Sequence, residues 1–100
     1  MEKKIDLSVP FLAKVRKVAI VNKDGKKGLV VTFVYYATKL LNDGEVVDEE
    51  VKVMEGHPLY FQLSNLRSGD ELRAIPLTNE ITKVIPHNWL FRQLLKNNGL

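Results

Sequence analysis

The sequence predicts a mainly β protein: a small antiparallel barrel of five or six strands, of the OB type, closed by a short C-terminal helix. Three observations carry this. One long apolar run, Leu29 to Leu41, is rich in β-branched and aromatic residues, the types that suit a pleated, half-buried surface. Shorter alternating runs flank it, separated by turns containing Gly, Asn and Asp. The last apolar segment changes to helical spacing. Several short strands that close on themselves also limit exposed sheet edges. An SH3-like barrel, or a half-barrel wrapped on a helix, gives nearly the same pattern.

The chain has 100 residues, 45% hydrophobic and 27% charged, which suits one soluble domain. It has no cysteine, so disulfides and thiolate metal sites are excluded. Met1 to Asp6 offers no apolar core of signal-peptide length. Lys39 interrupts the longest apolar run, which is far shorter than the roughly 20 residues of a membrane span. The expectation is a cytoplasmic protein with no membrane partner.

Residues 1–10 read as an N-terminal arm, extended where Pro10 disfavours the α region at Val9. Phe11 to Lys23 alternates as a strand, but its apolar phase changes at Arg16-Lys17, where a β-bulge restores the inward face. Asp24-Gly25 is the strongest hairpin signal. The central strand, Leu29 to Leu41, follows antiparallel to the first. Its odd residues, Leu29 to Ala37, form the better core face. Its even residues, Val30, Thr32, Val34, Tyr36 and Thr38, mix hydroxyls and an aromatic ring and suit a contact surface.

Asn42-Asp43-Gly44 is a second tight turn. Val46 to Met54 then alternates, with Glu49 falling on the apolar side. Leu59, Phe61 and Leu63 alternate as a short strand after Gly56-His57-Pro58. Glu71 to Leu77 and Ile81 to Ile85 read as a hairpin around Thr78-Asn79-Glu80, with Pro76 at an edge or bulge because it cannot donate to a ladder. Residues 88–97 read as the helix, with Asn88 as N-cap and Gly99 as stop. The expected core joins Val31, Phe33, Tyr35, Val51, Val53, Phe61 and Leu63 to Leu90 and Leu94.

The net charge of +3 is unevenly spread. Residues 1–41 carry nine Lys/Arg against three Asp/Glu; residues 42–71 carry two against eight. A basic first half can approach a polyanion. The acidic middle would repel one unless the fold turns it away.

Catalysis has little to stand on. Ser64 and Ser68 lack a G-x-S-x-G context, and His57 and His87 each sit beside a proline without metal-ligand spacing. The run Asp48-Glu49-Glu50 cannot converge on one ion, because consecutive strand residues point to opposite faces. No cofactor and no metal is expected. The basic and aromatic residues are more informative. Lys14, Arg16 and Lys17 on the first strand, Lys39 near the end of the second and Arg73 on a later strand supply charge for phosphates. Thr32 and Tyr36 stand on the outer face, Tyr36 as a ring on which a base can stack. These seven residues are the candidate nucleic-acid-binding set.

Val51 to Ser64, with Leu72-Arg73-Ala74-Ile75-Pro76, resembles the later strands of filamentous-phage gene V proteins. That resemblance implies a small OB-type protein that coats single-stranded DNA as a dimer. Tyr36 to Glu50, with Pro58 to Leu63 and Gly69-Asp70-Glu71, is similar to FKBP-type prolyl isomerases. There, Tyr36 and Asp48 would line a proline pocket. Val47 stands where that family has an aromatic, and Leu63 to Gly69 is too short for the helix that bears its pocket floor. This second resemblance implies a protein-binding module, an inhibitor or adaptor, in place of an enzyme. The leading expectation is a non-catalytic, homodimeric protein that binds single-stranded nucleic acid.

Overall fold

The computed structural model describes residues 5–87. The helix expected over residues 88–97, with Leu90 and Leu94, lies outside them. Five strands are present: β1 (Phe11–Lys23), β2 (Lys26–Tyr35), β3 (Glu49–Met54), β4 (Glu71–Ile75) and β5 (Glu80–Ile85). They form one antiparallel sheet in the order β3-β2-β1-β4-β5, curled into a half-barrel. No sixth strand forms among the described residues. Two single helical turns, α1 (Thr38–Leu41) and α2 (Tyr60–Ser64), complete the fold.

The first hairpin follows from its turn. Asp24 and Gly25 both take positive φ, 54° and 74°, the geometry that a two-residue turn needs to match strand twist. Lys23 and Lys26 pair across it. The register then runs evenly until it shifts between Val15 and Lys17. This is the expected bulge. It fits two successive cations, Arg16 and Lys17, between inward-facing Val15 and Val18, and it bends the strand. A second shift lies between Arg73 and Ala74 of β4. Beyond its bulge β1 pairs with β4 from Phe11 to Lys14 along one edge, while Ala13 and Lys14 still pair with β2 along the other.

The concave side holds the core. Ala13, Val15, Leu29, Val31, Phe33, Tyr35, Val53, Leu72, Ala74, Ile81 and Val84 meet there with Leu63 and Leu66, and Val51 packs against them half-buried. Phe33 is fully buried and meets Tyr35 edge to face, with ring centroids 5.3 Å apart.

Several boundaries differ from the expectations. The central strand stops at Tyr35, not Leu41. Its ladder partner runs out there: Tyr35 pairs with Ala13, and the Tyr36 N–H donates to the Leu12 carbonyl close to the start of β1. The chain then makes the single turn α1. The third strand begins at Glu49, not Val46, because the Val47 N–H is taken by the Thr38 hydroxyl. Leu59 to Leu63 is not a strand: Tyr60–Ser64 is helical. Leu59, Leu63 and Leu66 also fit a helical period, and the open concave face of the sheet is filled by their side chains. Phe61 therefore points outward and is 43% exposed. Pro76 follows the end of β4 and lies in the turn, where it interrupts no ladder.

Candidate nucleic-acid interface

The outer face of the sheet is the side opposite Phe33. Register determines which residues share it. Lys17 pairs with Thr32, and Thr32 with Glu50 of β3. Lys14 pairs with Val34 on one side and Glu71 on the other. Arg73 pairs with Leu12 and with Lys83 of β5. Lys52 pairs with Val30. Lys14, Lys17, Lys52, Arg73 and Lys83 are all exposed.

Of the seven candidate residues, the fold gathers Lys14, Lys17, Thr32 and Arg73 on this face. Tyr36 lies just past the end of β2 and is 57% exposed. Lys39 follows on α1 and is exposed. Arg16 stands apart in role: it is the extra residue of the bulge, and its Nε lies 3.4 Å from Asp48. That pair is half-exposed, so it contributes little to stability. It does reduce the charge Arg16 offers to a phosphate.

Lys52 and Lys83 were missed in the sequence. Lys83 joins Arg73 through the β4–β5 register, which the extra residue Thr82 of β5 shifts by one residue. The hairpin around Thr78-Asn79-Glu80 was the available signal.

The acidic middle is only partly turned away. Buried Asp70 is used structurally, accepting hydrogen bonds from the Arg67 N–H at 2.9 Å and the His87 N–H at 3.1 Å. Glu50 and Glu71 remain on the outer face. Glu71 is occupied: a hydrogen bond from Tyr36 and one with His87, whose Nε2 lies 2.7 Å from Oε1, hold its carboxyl below the usual range. The same bond to Glu71 raises the Tyr36 phenol. The ion pairs among the described residues are Arg16–Asp48 and His87–Glu71. The other cations of the outer face are thus outside ion-pair distance of any described carboxylate.

Both histidines are exposed. His57 accepts the Leu59 N–H through Nδ1 at 3.0 Å, which shapes the loop before α2. Among the described residues no three His, Asp or Glu side chains gather as a metal site. No helix among them is long and apolar enough to cross a membrane. Compared with protein-family models, with curated proteins and with solved structures, the chain matches none.

Proposed function

We propose that this chain is an OB-type barrel that binds single-stranded nucleic acid on the outer face of its sheet, without catalysis. A five-stranded, partly open barrel is the plan on which such binding modules are built. The observation that carries the reading is the cross-strand set Lys14, Lys17, Lys52, Arg73 and Lys83, exposed on one face and outside ion-pair distance of any described carboxylate. Cations in a row supply salt-dependent, sequence-independent contact to phosphates. Tyr36 supplies an aromatic face beside them, and base stacking on such a ring tolerates any sequence.

The test is fluorescence anisotropy of a labelled twenty-nucleotide single strand at several salt concentrations. Binding should weaken as salt rises, with a slope of roughly −0.7 per phosphate contact on a single strand. Absence of binding near 0.1 M salt, where the Debye length is about 10 Å, would overturn the reading.

A further inference from the structure

Beyond the end of β2 the outer face carries an apolar groove of about 470 Å³. Val34 forms its floor, and Lys14, Tyr36, Lys39, Leu40 and Val46 stand around it. Val34 belongs to the outer face by register, yet it is only 8% exposed. The neighbouring Tyr36, Leu40 and Val46 are 57%, 66% and 56% exposed. Three large side chains more than half open to solvent around one covered valine form a patch of the sort that marks a contact site.

The groove is held open by its supports. Thr38 is buried, and its hydroxyl accepts hydrogen bonds from the Val47 N–H at 3.1 Å and the Asn42 side-chain amide at 3.3 Å. These bonds fix α1 against the segment before β3, so Leu40 and Val46 keep their places. Tyr36 is more than half exposed, which leaves its ring open.

We infer that this groove takes one unpaired nucleobase, stacked on Tyr36 and packed against Leu40 and Val46, with its flanking phosphates on Lys14 and Lys39. The inference rests on the nucleic-acid reading above and assigns the position of base contact within it. Two observations favour a nucleotide as occupant. The lining is mainly apolar and includes two cations, Lys14 and Lys39, which complement a base between two phosphates. The groove also continues, through Lys14, into the cationic row of the sheet. The Thr38 hydroxyl is engaged by Val47 and Asn42 and so does not read a base edge. The groove selects for an unpaired base, not for its identity.

The experiment compares a labelled twenty-nucleotide oligothymidylate with an abasic strand of the same length and charge. Wild type, Leu40→Ala/Val46→Ala and Lys14→Ala/Lys39→Ala are each titrated at several salt concentrations. All four substituted side chains are exposed, so each variant should fold, which circular dichroism checks. Leu40→Ala/Val46→Ala should weaken oligothymidylate binding roughly 5- to 150-fold, leave the salt slope unchanged and leave the abasic strand unaffected. Lys14→Ala/Lys39→Ala should lower the slope by about 1.4 on both strands. Wild-type affinity for oligothymidylate in Leu40→Ala/Val46→Ala would overturn the groove assignment while the wider reading stands. No binding of either strand by wild type would overturn both. Saturable binding of an acidic, leucine-rich peptide in the absence of oligonucleotide binding would reassign the groove to a protein partner.

Discussion

Asn79 holds Glu49 across the open seam of the half-barrel: its side-chain amide donates to Oε2 of Glu49 at 3.0 Å. Glu49 opens β3 and Asn79 lies in the β4–β5 turn, so the bond joins the two ends of the sheet order. The same Asn79 accepts the Tyr35 hydroxyl at 2.8 Å through Oδ1. One side chain thus ties β2, β3 and the last hairpin together where no backbone ladder does. A small polar pocket of about 100 Å³ lies there, lined in part by Tyr35, Asn42, Glu49 and Asn79.

Asn79 adopts φ 58°, in the left-handed region. Asn79→Gly keeps that backbone at little cost and removes only the side chain. It should destabilise the protein by about 1–3 kcal/mol, because the buried Tyr35 hydroxyl loses its acceptor. Asn79→Ala should cost more, since alanine also resists positive φ. Urea unfolding of the two variants checks the order; equal stability of Asn79→Gly and wild type would show that the seam bonds contribute nothing.

Burial, and then the nearby Glu49 carboxylate, pushes the Tyr35 phenol up to about 12. In the unfolded chain it titrates at its ordinary value of 10. Stability from the neutral phenol is therefore complete below pH 10 and is lost as pH rises from 10 towards 12. Tyrosinate absorbance should show a late-titrating phenol that Tyr35→Phe removes. The stability of Tyr35→Phe should also fall less steeply than that of wild type over the same window. A titration curve with no late step to lose would contradict this.

Phe33→Ala should cost about 3–5 kcal/mol, because a fully buried ring leaves a cavity. Total stabilities of domains are about 5–15 kcal/mol, so the variant sits near unfolding. Phe61→Ala should cost less than about 1 kcal/mol, since that ring faces solvent. Chemical denaturation of the pair discriminates the helical reading of α2 from a strand, which would bury Phe61 beside Leu63.

Charge and stacking should separate in binding. Lys17→Ala or Arg73→Ala should each reduce the salt slope by roughly 0.7 and weaken all sequences alike. Arg16→Ala should change it less, because Asp48 already engages that guanidinium. Tyr36→Ala should cost about 1–3 kcal/mol of binding with the slope nearly unchanged. Anisotropy titrations across salt read both quantities; equal slopes for Lys17→Ala and wild type would remove Lys17 from the interface.

The sequence by itself determined the first hairpin, its bulge and the inward face of Phe33. These rest on local rules: turn chemistry at Asp24-Gly25, and an alternation of period two that slips once at Arg16-Lys17. It also placed Tyr36 and Thr32 on the opposite face from Phe33, because period two leaves no choice once one face is buried. Tertiary structure alone decided three other matters. Leu59 to Leu66 satisfies a strand or a helix, and the unfilled concave face selected the helix. Leu29 to Leu41 reads as one run, and the exhaustion of its partner near Leu12 ended the strand. Asn79 reached Glu49, 30 residues away, only through long-range register and curvature. Such contacts depend on how the sheet closes, and no local pattern of side chains encodes the closure.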